Sequence, residues 1–277
     1  VARSMLSGSL AVPGRNMCPM AKPEPALLHR REGAIATIVF NRPAALNAID
    51  EEIAQAFLGA CESIVRDREV RVVVLRGAGR GFVAGGDLRM LAEAPAEVAP
   101  RLIDPMHRGL AMLHAHNAPL IAAVHGSAAG AGLSLVLASD LAVAARGTRF
   151  SMAYLRVGAS SDLGASWTLP RVVGPRKAME LALLNPTIDA DEALWLGILN
   201  AVVEPEALDA HVQELAERIA QAPAPAAGHM TRLLRDAHGR DFESQLRAER
   251  DAFHACATEE GFAAHAAALL AARPART

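Results

Sequence analysis

Two β-branched segments of this sequence each run directly into a loop of glycine and alanine, and each loop opens a helical stretch. Residues 70–75 (VRVVVL) lead into a loop that contains FVAGGDL, and residues 120–125 (LIAAVH) lead into HGSAAGAGLSL. Strands that alternate with helices in this way are typical of an α/β domain. The sequence therefore predicts an α/β core in which two small-residue loops follow strands.

The remaining segments extend this core and end it in helices. Residues 35–40 (IATIVF) form a β-branched run that stops at the turn signal NRP, and residues 50–66 have helical spacing with Asp50 as the cap. Further helices are predicted at about 99–116, at LSLVLASD, and at 175–184, 190–195, 205–221, 224–238, 241–256 and a last segment ending near 272; further strands are predicted at 141–145 and 148–152. We predict a disordered extension over 1–24, a core over 25–222 and a C-terminal helical module over 223–277.

Composition excludes several classes of function. The chain has 277 residues, 52% of them hydrophobic, and a formal net charge of −2, so no general attraction to nucleic acid or to an anionic membrane is expected. Its three cysteines, Cys18, Cys61 and Cys256, lie far apart without CxxC spacing, which argues against a disulfide framework and a zinc site. No apolar run reaches the roughly 18 residues of a membrane span, and cytoplasm is the expected compartment.

The two glycine loops have a possible chemical role in common. Small residues let the backbone approach a ligand closely, and a helix start offers unpaired N–H groups. Neither loop has the spacing of a phosphate-binding or dinucleotide-binding motif. Two N–H groups from separate loops can instead converge on one oxygen and stabilise a carbonyl that becomes an enolate. The alternative interpretation is that both loops only allow tight packing between strand and helix.

Four longer segments carry a family resemblance. They are NRPAALNAID (41–50), GRGFVAGGDL (79–88), APLIAAVHGSAAGAGLSLVLASDLAVAA (118–145) and RVVGPRKAMELALLNPTIDADEALWLGILNAVV (171–203). Together they resemble the enoyl-CoA hydratase/isomerase family, the crotonase superfamily, over roughly residues 26–275. The resemblance implies a spiral of repeated ββα units with a C-terminal α-helical trimerisation module. It also implies acyl-CoA thioesters as ligands and a homotrimer or a dimer of trimers.

The resemblance also assigns roles to individual residues. It implies that the N–H groups of Gly86 and Ala131 hold the thioester oxygen, and that Ala45 and Leu46 line the CoA groove. Ala84, Leu88 and Ser134 are further expected contacts of substrate or CoA, whereas Asp87 either contacts substrate or fixes the first loop. Coenzyme A is expected only as part of the substrate, with no metal, no redox cofactor and no nucleic-acid or membrane partner.

This sequence departs from the family's hydratases at their two glutamate positions. The matching residues are Ser134 and Tyr154. A serine hydroxyl without an activating base is a poor base at neutral pH, and an unperturbed tyrosine has a pKa of about 10. Ordinary hydration of a 2-enoyl-CoA is therefore not the favoured reaction. Tyr154 is expected in the catalytic site, where it lines the acyl pocket or donates its hydroxyl to the substrate or to Asp162.

Asp162, in VGASSDLGASW, is the remaining candidate acid. It matches the position at which the resemblance places the single carboxylate of double-bond isomerases and of the relatives that displace halide from aryl-CoA thioesters. An acid in an apolar pocket has a raised pKa, which suits a group that takes up a proton and returns it. The alternative is an N-cap on a helix over residues 163–169.

The predicted function is an acyl-CoA enzyme that stabilises a thioester enolate, most simply a double-bond isomerase in which Asp162 carries the proton. An unusual hydratase, a haloaryl-CoA dehalogenase and a non-catalytic acyl-CoA-binding protein remain as alternatives. His107, His114 and His116 are expected on helix faces and not as bases, and His125 is expected to be structural. Trp167 and Trp195 are expected to be packing residues, and Asp140 is expected at a helix end or turn.

Overall fold

The structure, a computed structural model, describes residues 24–271, so the extension predicted for 1–24 lies outside the described residues except for Glu24. The strands are Leu27–Glu32 (β1), Ile35–Phe40 (β2), Val72–Gly77 (β3), Leu120–Val124 (β4), Ser127–Ala129 (β5), Leu141–Ala145 (β6), Arg149–Ser151 (β7), Ile188–Asp189 (β8) and Ala201–Val203 (β9). The helices are Glu51–Arg66 (α1), Leu88–Glu93 (α2), Pro95–Ala115 (α3), Ala131–Ala138 (α4), Ala165–Val173 (α5), Pro175–Leu183 (α6), Ala190–Trp195 (α7), Leu208–Gln221 (α8), Ala226–Asp236 (α9), Phe242–Ala257 (α10) and Glu260–Ala271 (α11).

The main sheet has six strands in the order β1-β2-β3-β4-β6-β9. Only the β1–β2 pair is antiparallel; the pairs that follow are parallel and their strands are connected through helices. A smaller sheet, β5-β7-β8, begins directly after β4. The chain therefore leaves the main sheet at β4 and enters the small one at β5, and α4 starts at that junction.

Both faces of the main sheet are covered, which explains why its strands read as continuous apolar runs. On β3, Val73 and Leu75 face the larger core, which also contains α1 and α4. The alternate residues Val72 and Val74 face α8, whose Val212 is fully buried against them. The period of two along the strand thus divides one apolar run between two cores.

Several predicted elements are confirmed, and their starts have a local cause. Asp50 accepts a hydrogen bond from the N–H of Ile53 at 2.9 Å, so it caps α1 as the sequence predicted. The strands at 35–40 and 141–145 and the helix at 190–195 have the predicted bounds. The strand predicted at 70–75 instead covers 72–77, because the N–H of Val70 still closes the preceding turn on the carbonyl of Asp67 at 3.2 Å.

The helical stretch predicted at 99–116 is longer than expected and is preceded by a separate short helix. α3 begins at Pro95, a residue favoured in the first helical turn, and Pro100 and Pro105 lie inside it. The predicted range already included both prolines, and it missed only the first turn of the helix, residues 95–98. The 21-residue α3 places one apolar face against the core beside the glycine loops.

The C-terminal part is helical, as predicted. Arg235 on α9 donates to both oxygens of Asp140 and to the carbonyl oxygens at the end of α3, at 2.8 Å for His114 and His116. Asp140 also accepts from the N–H of Leu120, which confirms its predicted place in a turn. The domain boundary at 222/223 stays a prediction.

The two tryptophans differ in their packing. Trp167 is 45% exposed but packs its ring against the guanidinium of Arg171 at 4.0 Å. Trp195 is 80% exposed, so the expectation that it packs is wrong, because α7 turns this position outward. No helix within residues 24–271 is both long and apolar enough to cross a bilayer.

Candidate active site

The two glycine loops lie side by side. Val83 forms a parallel bridge with Ala128, and the N–H of Ala129 donates to the carbonyl of Val83 at 3.1 Å. Phe82, in the same loop, donates its N–H to the carbonyl of His125 at 2.9 Å. These bonds between backbones fix the end of β3 against the end of β4, and side-chain identity contributes little to them.

Gly132 shows why the second loop needs a small residue. A Cβ built on Gly132 would lie 1.9 Å from the carbonyl oxygen of Val83, far inside van der Waals contact. The first turn of α4 therefore rests directly on the first loop. The loops therefore do allow tight packing, as the alternative interpretation held. The same packing brings the start of α4 next to residues 83–86.

The N–H of Gly86 points away from Ile49, the residue with which Gly86 forms a backbone bridge. Ile49 donates to the carbonyl of Gly85 and accepts from the N–H of Asp87, both at 2.8 Å, in a parallel bridge with Gly86. Because successive N–H groups of an extended chain point to opposite sides, the N–H of Gly86 faces the other way, towards a cavity that Gly86 lines. No acceptor for it occurs among residues 24–271.

Ala131 supplies a second N–H to the same cavity. It is the first residue of α4, where an N–H has no partner within the helix, and no acceptor for it occurs in the described part of the chain. Gly130 precedes it with φ 54° and is held by the bond from its own N–H to the carbonyl of Ser151 at 3.0 Å. The orientation of the Ala131 N–H is thus set by backbone bonds on both sides.

The cavity has a volume of about 600 Å³ and a mostly apolar wall. One side of it is α3, whose Ala99, Leu102, Ile103 and Met106 follow helical spacing. The opposite side is the segment 153–163, which includes Tyr154 and Asp162. Asp162 is the only carboxylate among the lining residues that the structure describes.

Asp162 does not cap a helix, so that alternative is wrong. α5 begins at Ala165, its N-cap is Gly164, and the cap makes no side-chain hydrogen bond. The main-chain carbonyl of Asp162 accepts from the N–H of Ala165 at 3.1 Å instead. The turn is made by the left-handed backbone of Leu163 and Gly164, with φ of 49° and 75°, and it leaves the carboxyl group free to face the cavity.

Tyr154 donates its hydroxyl hydrogen to Oδ1 of Asp162. Burial raises the pKa of Asp162 above its ordinary range, while the hydrogen bond from Tyr154 acts in the opposite direction. Burial and the neighbouring Asp162 charge raise the pKa of Tyr154, so its hydroxyl stays protonated. Asp162 therefore holds a proton more readily than an ordinary carboxyl group, and the Tyr154 hydroxyl beside it remains a hydrogen-bond donor.

His107 lies closer to Asp162 than the sequence indicated. Its side chain is exposed on α3, as predicted, but Nε2 accepts the N–H of Leu163 at 3.0 Å. Leu163 is a non-glycine residue in the left-handed region, a conformation that costs roughly 1–2 kcal/mol. The bond to His107 and the burial of the Leu163 side chain stabilise this turn, which holds Asp162 in place.

The other expected contact residues divide into two groups. Ala84 and Leu88 line the cavity together with Gly86. Ala45, Leu46, Asp87 and Ser134 do not line it. Asp87 accepts from Arg42 at 3.2 Å and from the N–H of Arg89, so it fixes the first loop. Ser134 is fully buried behind Tyr154.

The remaining histidines have structural contacts. His125 Nε2 lies 2.9 Å from the carbonyl oxygen of Gly79, in keeping with its predicted structural role. His116 Nδ1 accepts the N–H of Ala118, and His114 meets the Trp167 ring edge-on. Within residues 24–271 no group of three His, Cys, Asp or Glu side chains is placed to hold a metal ion.

Comparison with known proteins decides the family. The profile of the family described as Enoyl-CoA hydratase/isomerase matches residues 30–269. The chain belongs to the enoyl-CoA hydratase/isomerase family. It is thus an acyl-CoA enzyme of the crotonase superfamily, and the predicted fold class is confirmed.

Its relatives within the family have different activities. The chain is 37% identical over 232 residues to the 1,2-epoxyphenylacetyl-CoA isomerase of Escherichia coli K12, covering 81% of this chain and 87% of that protein. It is 35% identical over 214 residues to a 4-chlorobenzoyl coenzyme A dehalogenase of an Arthrobacter species, covering 76% and 78%. The crystal structure of an enoyl-CoA hydratase from Mycobacterium smegmatis superposes with a TM-score of 0.85 at 32% identity, covering 90% of this chain and 98% of that one.

Proposed function

We propose that this protein is an acyl-CoA isomerase that moves a double bond through a thioester enolate, with Asp162 as the proton carrier. The observation that carries the proposal is that Asp162 is the single carboxylate among the described residues that line the cavity. Gly86 and Ala131 line the same cavity, and their N–H groups have no acceptor within residues 24–271. One carboxyl group is sufficient for a 1,3-proton shift, because the same group takes up the proton and returns it.

In the proposed reaction, a 3-enoyl-CoA binds with its thioester oxygen between the two amides. The carboxylate of Asp162 takes a proton from the α-carbon, and the electron pair of that C–H bond delocalises into an enolate. The amides of Gly86 and Ala131 stabilise the oxygen as its negative charge grows. Asp162 then returns the proton to the γ-carbon, which gives the conjugated 2-enoyl-CoA and regenerates the carboxylate.

The apolar wall supports a substrate whose acyl group is a hydrocarbon chain or ring. Leu91, Leu102 and Met106 offer no hydrogen-bonding group to that part of the cavity. The name of the 37% identical relative adds a ring-bearing acyl-CoA to the candidates. The reaction needs no oxidant and no metal, and coenzyme A enters only as part of the substrate.

A second candidate is displacement of halide from a haloaryl-CoA, in which Asp162 attacks the carbon that bears the halogen. The observation that favours it is a histidine, His107, whose ring lies against the residue that follows Asp162. Against it, the Nε2 lone pair of His107 already accepts the N–H of Leu163. That nitrogen is not free to activate the water that must release the aryl ester.

The test is a panel of thioesters with wild type and Asp162→Asn side by side. We expect wild type to convert 3-enoyl-CoA, seen as absorbance of the conjugated thioester, and Asp162→Asn to bind CoA thioesters without converting them. Water addition to 2-enoyl-CoA that survives in Asp162→Asn would favour a hydratase, and halide release from a haloaryl-CoA would favour the second candidate. Tight binding without any turnover would indicate a binding protein.

We also propose a homotrimer or a dimer of trimers. The support is a set of exposed apolar side chains on the C-terminal helices, which a lone chain leaves in water. They are Met230, Leu234, Phe242, Leu246, Phe253, Leu269 and Leu270. Light scattering of the purified chain should give three or six times the monomer mass, and a monomeric mass at micromolar concentration would contradict the proposal.

A further inference from the structure

A row of oxygen atoms connects Asp162 with the start of α4. Oδ1 of Asp162 accepts from the hydroxyl of Tyr154, and the Tyr154 oxygen lies 2.6 Å from Oγ of Ser134. Oγ of Ser134 in turn lies 3.2 Å from the carbonyl oxygen of Gly130. Ser134 is completely buried, so the middle of this row is shielded from water.

The number of hydrogens in this row depends on the protonation of Asp162. With a carboxylate there are two hydroxyl hydrogens for three oxygen–oxygen contacts. The Tyr154 hydrogen goes to the carboxylate, which is the strongest acceptor, and the Ser134 hydrogen goes to Tyr154, the shorter of its two contacts. The contact from Oγ of Ser134 to the Gly130 carbonyl then holds no hydrogen, and that carbonyl keeps only its bond from the backbone N–H of Ser134 at 3.0 Å.

Protonation of Asp162 supplies the third hydrogen. When the carboxyl hydrogen lies on the oxygen that faces Tyr154, Asp162 donates to Tyr154, Tyr154 donates to Ser134, and Ser134 donates to the carbonyl of Gly130. Each hydroxyl keeps one hydrogen and changes only its acceptor. All three contacts are then filled.

The last acceptor of the row belongs to the site itself. The carbonyl of Gly130 and the N–H of Ala131 are the two ends of one peptide unit. A hydrogen bond donated to the carbonyl end polarises the peptide and makes its N–H a better donor. The Ala131 N–H is the group that the proposed function uses to hold the enolate oxygen.

We propose that Ser134 is a positioning residue that couples proton uptake by Asp162 to a stronger Ala131 N–H donor. The inference rests on the proposed function, in which Asp162 becomes protonated at the moment when the thioester oxygen becomes an enolate. The proton arrives on the carboxyl oxygen that faces the cavity, and rotation of the carboxyl group turns it towards Tyr154, which fills the relay and strengthens the amide. The reverse rotation empties the relay and presents the proton to the γ-carbon. Such an interaction favours the intermediate over the bound substrate and so acts on kcat.

The other titratable and charged groups near Asp162 lie outside this relay. His107 faces it from α3, and Arg156 lines the same cavity from the segment that follows Tyr154. Neither contacts Ser134 or the Gly130 carbonyl within the described hydrogen bonds. Substituting Ser134 therefore changes the relay and leaves these charges in place.

The kinetic test compares two serines of the same helical region. The hydroxyl of Ser139, at the end of α4, donates to the carbonyl of Leu135, four residues earlier, at 2.8 Å. Ser134 can make the equivalent bond to Gly130, but Ser139 has no hydrogen bond to Tyr154. We expect Ser134→Ala to lower kcat about fivefold at unchanged KM, as the loss of one hydrogen bond predicts. Ser134→Thr, which keeps the hydroxyl, should restore most of kcat, and Ser139→Ala should have wild-type kinetics.

The decisive test needs binding but no turnover. Infrared spectra of a bound saturated acyl-CoA with a ¹³C-labelled thioester carbonyl report how strongly the amides polarise that carbonyl. In wild type we expect the carbonyl band to move to lower frequency as pH falls through the titration of Asp162. In Ser134→Ala we expect a smaller shift, because the contribution of the relay is missing.

An equal pH-dependent shift in wild type and in Ser134→Ala would overturn the relay, whether or not the enzyme isomerises double bonds. The expected difference between the two spectra without any turnover would contradict the proposed function and leave the relay intact. A protein that binds no acyl-CoA would contradict both. The Tm of each variant shows whether Ser134→Ala and Ser134→Thr are folded.

Discussion

Beside the apolar face of α3, the cavity has two further walls, and they are built in different ways. The main-chain wall, residues 82–88 and 125–131, offers N–H groups that backbone bonds between the two loops hold in place. The side-chain wall, residues 154–163, offers a carboxyl group and a phenol. Phe82, Val83 and Ala128 of the first wall are fully buried, whereas Leu155 and Val157 of the second are about half exposed.

The difference shows how one fold can support several reactions. The main-chain wall depends on geometry alone, so it fits any thioester oxygen and tolerates changes of side chain that leave the backbone in place. The side-chain wall depends on which groups it carries and decides what happens to the enolate. Relatives that are named isomerase, dehalogenase and hydratase fit this division.

Asp162→Asn removes the proton carrier from the side-chain wall and should have the largest effect. We expect kcat for 3-enoyl-CoA isomerisation to fall by about 10²–10⁴, the usual contribution of a general acid–base group. Binding of CoA thioesters, measured by calorimetry, should stay close to wild type. The control is Asp191→Asn, because the exposed carboxyl of Asp191 pairs with Arg146 away from the cavity. This variant should keep wild-type kcat, and an equal loss of kcat in both variants would contradict the account.

Gly132→Ala attacks the main-chain wall through its geometry. The new methyl group meets the Val83 carbonyl and must push the two loops apart, at a cost of about 1–3 kcal/mol in unfolding free energy. Activity should fall because the amides of Gly86 and Ala131 no longer face one point. Gly59→Ala, in open space inside α1, should instead raise the unfolding free energy by about 1 kcal/mol in the same urea titration.

Tyr154→Phe should change the pH profile of the side-chain wall. Asp162 must be ionised to take up a proton, so kcat/KM falls as pH decreases through its raised pKa. The hydrogen bond from Tyr154 lowers that pKa, and its loss should move the acid limb to higher pH. An acid limb that stays in place, or moves to lower pH, would show that Tyr154 does not act on Asp162.

Ala131→Gly should have the smallest effect and sharpens the contrast between the walls. The N–H that faces the cavity is kept, so kcat should remain near that of wild type. The unfolding free energy should fall by at most about 1 kcal/mol, the cost of glycine in a helix. A loss of activity comparable to that of Asp162→Asn would mean that the alanine side chain, and not the amide, contributes to the reaction.

Much of the main-chain wall could be predicted from the sequence. Apolar runs that end in glycine indicate strand ends and close backbone approach, and the family resemblance identified Gly86 and Ala131. Both residues do line one cavity. The bonds that hold them, such as Ala129 to Val83, link residues far apart in the chain, and local patterns do not specify such pairs.

The side-chain wall was less predictable. Nothing in the local sequence shows that Leu163 adopts a left-handed conformation, or that His107, 56 residues earlier, accepts its N–H. Ser134 was expected at the substrate, but helix α4 turns it towards Tyr154 instead. Helical spacing does predict the apolar face of α3 around Leu102 and Met106, and it is the signal that would have identified the cavity wall in advance.

The most direct test of a single proton carrier follows one labelled hydrogen. A 3-enoyl-CoA deuterated at the α-carbon is converted by wild type, and the product is examined by NMR for deuterium at the γ-carbon. The account predicts partial transfer of the label, because Asp162 takes the deuteron and is shielded enough to return some of it before exchange with water. Efficient turnover with no label at the γ-carbon, or transfer that persists in Asp162→Asn, would contradict it.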